Sequence, residues 1–318
     1  MLKTGGDKSP FSDRRHQSLL NAIAGLQQIP PEAAVNIRAN GQAILRQSSP
    51  NVELSSLEGD KPGLLVEVKA GAKAETVYVP VVLSAEGMHD KVYNTFLINE
   101  AAEALIIAGC GIHNSCSERA QHDGIHEIIV KKGGHLRYVE KHYGEGEGSG
   151  LRVLNPRTII RLAEGASAEL EMVQIRGVDD TIRETSAYLA ARSSLKITER
   201  LLTEKQQSAE SHIDIYMEGE HSSSQVLSRS VAQGQSTQLF RAALIGKNIC
   251  MGHVECDAIL MDQAKIKSIP QIDAEDANAA LTHEAAIGKI AGEQLTKLMT
   301  LGLTEEEAVN AILDGFLK

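Results

Sequence analysis

The sequence predicts an all-β core built as a β-helix, a solenoid of stacked strand-and-turn coils flanked by small N- and C-terminal helical segments. Three observations predict it. After Val35, short alternating apolar segments punctuated by Gly, Ser, Asn and Asp replace any helical period over some two hundred residues. Those segments repeat. Residues 68–75, 130–137, 162–169, 189–196, 231–238 and 260–267 each read as a strand end, a tight polar or glycine turn and a new alternating strand, at whole or half multiples of about 28 to 31 residues. Aromatic residues make up only 3% of the chain and Trp is absent, which suits a core of stacked small and aliphatic side chains. A β-sandwich is the competing architecture, and it calls for more Asn-Gly or Asp-Gly hairpin turns than the chain has.

Taken in order, the chain divides at 1–34, 35–275 and 276–318. In the first segment Leu19, Leu20, Ile23 and Leu26 have helical spacing, Ser12 or Asp13 is available as N-cap, and Pro30-Pro31 ends the helix. The second is the β-helix core. Beyond Pro270 a polar connector over residues 272–278 leads to a helix through Ala285, Ile287, Ile290, Leu295, Leu298 and Met299, closing at Gly302. A second helix begins at Thr304, whose partner Glu307 completes a capping box.

The chain has 32 Lys plus Arg against 42 Asp plus Glu, a net charge of −10, and no basic run that would neutralise a phosphate backbone, so nucleic acid is not expected as a partner. No apolar run approaches the roughly 18 residues of a membrane span, and residues 1–10 lack a signal-peptide core; the expectation is a soluble cytoplasmic protein without membrane contact. The four cysteines are too sparse for a disulfide framework, which leaves metal or sulfur chemistry, or burial as small apolar groups.

Two constellations have such chemistry. The first is Cys110, His113 and Cys116 followed by His122 and His126, which offers zinc- or iron-type ligands at spacings that match no standard finger as a set; a glycine-rich loop with hydrogen-bonded histidines is the alternative. The second is Cys256 at the end of a coil and His283-Glu284 about one coil later. Cys256 brings a soft thiolate and His283 and Glu284 harder ligands; iron accepts all three types. Without other information, a core cysteine and an exposed helix start account for these residues better than a ligand set does.

The residues around this second constellation carry a resemblance. Ser268-Ile269-Pro270, the run Thr282-His283-Glu284-Ala285-Ala286-Ile287-Gly288-Lys289-Ile290, Glu293-Gln294-Leu295, Gly302-Leu303, Glu307-Ala308 and Gly315-Phe316 resemble the C-terminal signature of the SufB/SufD family of iron-sulfur cluster assembly proteins. The segment from Cys110 to Glu127 resembles that of short SufB-like members. The resemblance implies a right-handed parallel β-helix that dimerises through its β-helix and binds a SufC-type ATPase through its C-terminal helices. It also implies a scaffold without turnover of its own, building a transient iron-sulfur cluster on Cys256, His283 and Glu284 and passing it to apo-proteins. Cys110, His113, Cys116, His122 and His126 are then secondary candidates. Longer SufB proteins take sulfur on a cysteine in the middle of the β-helix, whereas this chain has none between Cys116 and Cys250. The arginine often preceding Gly-Leu is Leu301 here. No Gly-x-x-x-x-Gly-Lys-Ser/Thr loop is present, so the nucleotide belongs to the partner. The rival functions are a β-helix carbohydrate-active enzyme, disfavoured by the scarcity of aromatic sugar platforms, and a purely structural solenoid.

Overall fold

A computed structural model describes residues 9–57 and 63–318. Strands alternate between two sheets facing one another, and successive strands of each sheet pair in parallel, giving a β-solenoid of about eight turns. The first sheet runs from Ala34–Ala39 through Glu75–Leu83, Glu103–His113, His135–Glu145, Ser167–Arg176, Ser194–Thr203, Ser222–Ala232 and Cys250–Leu260 to Ala280–Gly288. The second runs from Gly63–Val68 through His89–Ile98 and Ala120–Val130 to a strand broken at Asn155-Pro156 into Arg152–Leu154 and Arg157–Leu162. It then continues through Asp180–Leu189, Ser208–Met217 and Thr237–Gly246 to Lys265–Ala274. Antiparallel strands Gln42–Gln47 and Val52–Ser56 close the N-terminal edges, which would otherwise offer unpaired backbone groups.

Alternation sets what lies inside. In Ala120–Val130 and Ser208–Met217 every second residue is buried, as the period of two requires. In-register parallel stacking then superposes like positions of successive coils; His135 meets Ser167 at a separation of 32 residues and His253 meets Thr282 at 29. All six turns expected from the repeats are present, but they belong to two columns. Those after Val68, Val130, Leu162 and Leu189 lead from the second sheet to the first, whereas those after Val231 and Leu260 lead back. The uneven spacing between Arg192 and Gly234 is a change of column. Intervening members place Ala101, Lys205 and His221 in the left-handed region at φ 54°, 57° and 58°, so no glycine marks them.

At the N-terminus, helix α1 (Arg14–Ala24) is capped by Asp13 and lies on the outer face of the first sheet. It can approach because Gly109 and Gly111 flank Cys110 on the outer face: a Cβ on either would come within 3.0 Å of Ile23 or Leu19. At the other end the expected helix through Ala285 and Ile287 is corrected. Ala280–Gly288 is the last strand of the first sheet, paired in parallel with Cys250–Leu260, and the supposed polar connector is strand as far as Ala274. The run 285–290 has helical spacing, but an exposed strand that borders only one neighbour needs no alternating pattern, so helical periodicity there was misleading. Helix α2 (Gly292–Thr300) follows, with Gly302 beyond its end at φ 100°, then α3 (Glu305–Phe316) with its Thr304–Glu307 capping box. Among the described residues, no helix is long and apolar enough to cross a membrane.

Candidate functional site

The C-terminal end of the solenoid holds the first site. Cys256 is on the inner face of Cys250–Leu260, in phase with Cys250, Gly252 and Val254, and is 1% exposed. On the neighbouring strand His283 pairs with Val254 and Glu284 with Glu255. Because paired residues of a parallel ladder share a face, His283 is on the inner face with Cys256, whereas Glu284 is on the outer face, exposed. The structure brings Cys256 and His283 to one face and leaves Glu284 on the other. His283 Nε2 is buried without a partner, and burial together with the nearby His253 lowers the pKa of this imidazole. Burial raises the Cys256 thiol, partly offset by Ser268, whose hydroxyl is likewise buried without a well-formed hydrogen bond.

The second site is a charged cluster inside the solenoid. Cys110, His122, His126, Glu140 and His142 line one small pocket together with Gly124, Leu154, Asn155 and Pro156, too tightly packed to admit a free water molecule. Arg38 donates to both oxygens of Asp90 at 2.7 and 3.0 Å, and Asp90 stands 3.1 Å from His122 Nδ1. Burial opposes a charge on His122, but the Cys110 thiolate and the Asp90 carboxylate outweigh it and push this imidazole up to about 10. Burial would raise Cys110, yet His122 and His142 bring the thiol down to about 7. Cys110 therefore has thiolate character inside a protein core, which a lone buried cysteine would lack. His122 Nε2 makes no hydrogen bond of normal geometry, so its attraction to Cys110 is chiefly one of charge.

Arg183 continues the cluster. Its Nη1 donates to Glu140 Oε2 at 2.7 Å and its Nε lies 3.5 Å from Glu199 Oε1. Glu140 is held well below the usual carboxylate range, since His142, Arg183 and His126 overcome the effect of burial. Ser211 donates to Glu199 at 2.8 Å and Ser228 at 3.4 Å. The ladder places Glu199 beside Ser228 and Ser228 beside Cys256, so a band of buried polar side chains leads from the Cys110 cluster to the C-terminal cysteine.

Of the expected first constellation, the structure gathers Cys110, His122 and His126 and separates the rest. His113 faces outward beside α1, with its Nδ1 3.2 Å from Glu145, and Cys116 sits in a turn 3.2 Å from Asn114 Oδ1. Among the described residues, no group of three His, Cys, Asp or Glu side chains is arranged to hold a metal ion. Sequence reasoning missed Asp90, Glu140, His142, Arg183 and Glu199. A signal was there: Glu140 and His142 fall in phase with Leu136 and Tyr138, and Glu199 with Leu195, Ile197 and Leu201, so alternation carries each charge inward.

With this geometry in place, the family model described as SUF system FeS cluster assembly, SufBD core domain, matches residues 81–316. The chain belongs to the SufBD family. An iron-sulfur cluster assembly SufBD family protein of Archaeoglobus fulgidus is 28% identical over 86% of this chain and 73% of the relative. One from Methanothermobacter thermautotrophicus is 28% identical over 83% of this chain and 64% of the relative. The iron-sulfur cluster assembly protein SufB of Bacillus subtilis is 26% identical over 80% of this chain, which spans 55% of that relative.

Proposed function

We propose that this SufBD chain is a cytoplasmic scaffold on which an iron-sulfur cluster is assembled at the C-terminal end of the solenoid, between two copies of the chain. The observation that carries this is the placement of Cys256 and the unpartnered His283 on one inner face, one strand from an open edge. Cys250 shares that face but stands six residues from Cys256 along the strand, about 20 Å away, so one copy brings a single thiol and a single imidazole together, too few for four-fold ligation at iron. A two-fold pairing of the last strands doubles the set, and Glu284, on the outer face, reaches a cluster only from across such a boundary. Exposed Met251, Ile272 and Ile287 around these strands suit an interface.

The chemistry of assembly needs sulfur as well as iron. Cys110, with thiolate character from His122 and His142, is the residue we assign to receiving sulfur, and the buried polar band connects it to Cys256. The cluster itself is cargo, released to a recipient. Energy for opening the buried site comes from a SufC-type ATPase docked on α2 and α3, where Met299 and Leu301 are exposed, and this chain has no turnover of its own. The test is anaerobic purification with the ATPase, followed by absorption spectroscopy and iron and sulfide analysis. A cluster that is lost in Cys256→Ser is expected; a full cluster retained in that variant contradicts the site.

A further inference from the structure

Three histidines are buried in the interior cluster, and two of them are engaged. His122 is tied to Asp90 through Nδ1, and His142 Nδ1 lies 3.3 Å from both Gln174 Oε1 and the Arg183 guanidinium. His126 is different. It is 4% exposed and neither ring nitrogen has a hydrogen-bond partner; the nearest carboxylate oxygen, of Glu140, is 3.9 Å away. Its ring does not hang loose. It stacks on Phe96 with centroids 5.7 Å apart and planes at 17°, and packs at a tilt against Tyr138. The backbone beside its free edge belongs to Gly124, where a Cβ would stand 2.6 Å from His126 Nε2 and 3.3 Å from His122 Nε2. The ring is thus clamped with a hydrogen-bonding edge toward the space it shares with Cys110, and the residue that would crowd that edge has no side chain. Buried polar groups are rarely left unpaired, and one held in place beside a reactive thiol points to a guest.

We infer that His126 is the hydrogen-bonding partner of the outer sulfur when Cys110 carries a persulfide. The inference rests on the assignment of Cys110 as the sulfur-receiving residue. In the loading step the Cys110 thiolate attacks the outer sulfur of a donor persulfide; the Cys110 S–S bond forms as the donor S–S bond breaks, and the donor leaves as a thiolate. The proton stays on the transferred sulfur, and no external oxidant or reductant is used. The outer sulfur then stands about 2.05 Å from Sγ, tethered in a pocket that admits no free water and whose lining side chains shift to seat it. A neutral imidazole suits both forms of the guest: it accepts from the S–H, or donates its own N–H to the deprotonated sulfur. His122 is the charged neighbour and His126 the neutral one, a division of roles that leaves the outer sulfur hydrogen-bonded without locking it as a tight ion pair.

The test uses the full chain, incubated anaerobically with sodium disulfide, trapped by alkylation and read by peptide mass spectrometry. His126→Phe keeps a ring against Phe96 and removes both nitrogens; His126→Gln restores a donor and an acceptor. The wild-type chain is expected to carry a persulfide on Cys110, His126→Phe to lose it about tenfold faster, the effect of one neutral hydrogen bond, and His126→Gln to recover part of the lifetime. Circular dichroism checks folding, and His126→Met replaces the Phe variant should that one fail to fold. A persulfide equally abundant and long-lived without the His126 nitrogens overturns the inference while leaving Cys110 as the receiving residue. Absence of any persulfide on Cys110 in the wild-type chain overturns that assignment, and the inference with it.

Discussion

Cys256 and Glu284 stand on opposite faces of the same pair of strands, since Cys256 is in register with Ala285 and Glu284 with the outward Glu255. A thiol and a carboxylate about one coil apart in sequence therefore do not converge within one chain. His283, in register with inward Val254, shares the face of Cys256. The account predicts an order of effects in anaerobically purified protein: Cys256→Ser loses the cluster, His283→Ala loses most of it, and Glu284→Gln lowers occupancy least. Iron and sulfide content of the three variants, all checked as folded, gives the order.

Arg183 is 4% exposed and faces both Glu140 and Glu199. Arg183→Met would leave buried Glu199 without its cation and Glu140 with the histidines alone. Breaking a buried pair in this way costs about 3–5 kcal/mol, so the urea midpoint should fall sharply. Arg137→Met removes a contact to Glu171 on the exposed surface, where both partners are solvated, and should change stability by under about 1 kcal/mol. Equal losses in the two variants would contradict the description of the interior cluster.

Burial lowers His126 from 6.5 to about 4, with the nearby Glu140 opposing and the cations His122, His142 and Arg183 reinforcing the shift. Between these values the unfolded chain binds a proton that the folded chain does not. Stability from this residue is therefore present above about pH 6.5 and falls as the pH drops toward 4, by up to about 3 kcal/mol. Asp90, depressed by His122 and Arg38 against the effect of burial, adds to acid lability only below the ordinary carboxylate range. His122, raised to about 10, acts at the other end: its contribution is complete below pH 6.5 and is lost as the pH rises through 10. Thermal melts from pH 4 to 7 should show a flatter profile for His126→Phe than for the wild-type chain.

The C-terminal helices make few buried contacts: α2 has no buried residue and α3 buries only Ala308 and Leu313. Deleting residues 303–318 is expected to leave a folded solenoid dimer and to abolish binding of the ATPase. Pull-down of the ATPase by the truncated chain at full-length affinity would refute the docking role.

Much of the fold was legible in the sequence because the solenoid writes itself in two short-range signals, alternation and tight turns. The turn columns were harder to read, since Ala101, Lys205 and His221 adopt left-handed backbone without glycine. The last strand was misread because Ala285, Ile287 and Ile290 have helical spacing where an edge strand leaves its residues largely exposed. For the site, Cys256 and His283 stood out by type, but which face each occupies depends on strand phase, and a helix read through Ala285 and Ile287 hid that. The interior cluster is assembled from six strands across both sheets, so no local window contains Asp90, Cys110, His142, Arg183 and Glu199 together. Only the phase of each charge against its apolar neighbours announced it.

The most direct test of the shared scaffold is the ratio of intact clusters to chains. Anaerobically reconstituted protein should be weighed by native mass spectrometry, alongside iron and sulfide analysis. The account predicts at most one cluster per dimer at the Cys256 site, lost when the dimer is dissociated. One intact cluster on each chain, retained by the separated monomer, would contradict it.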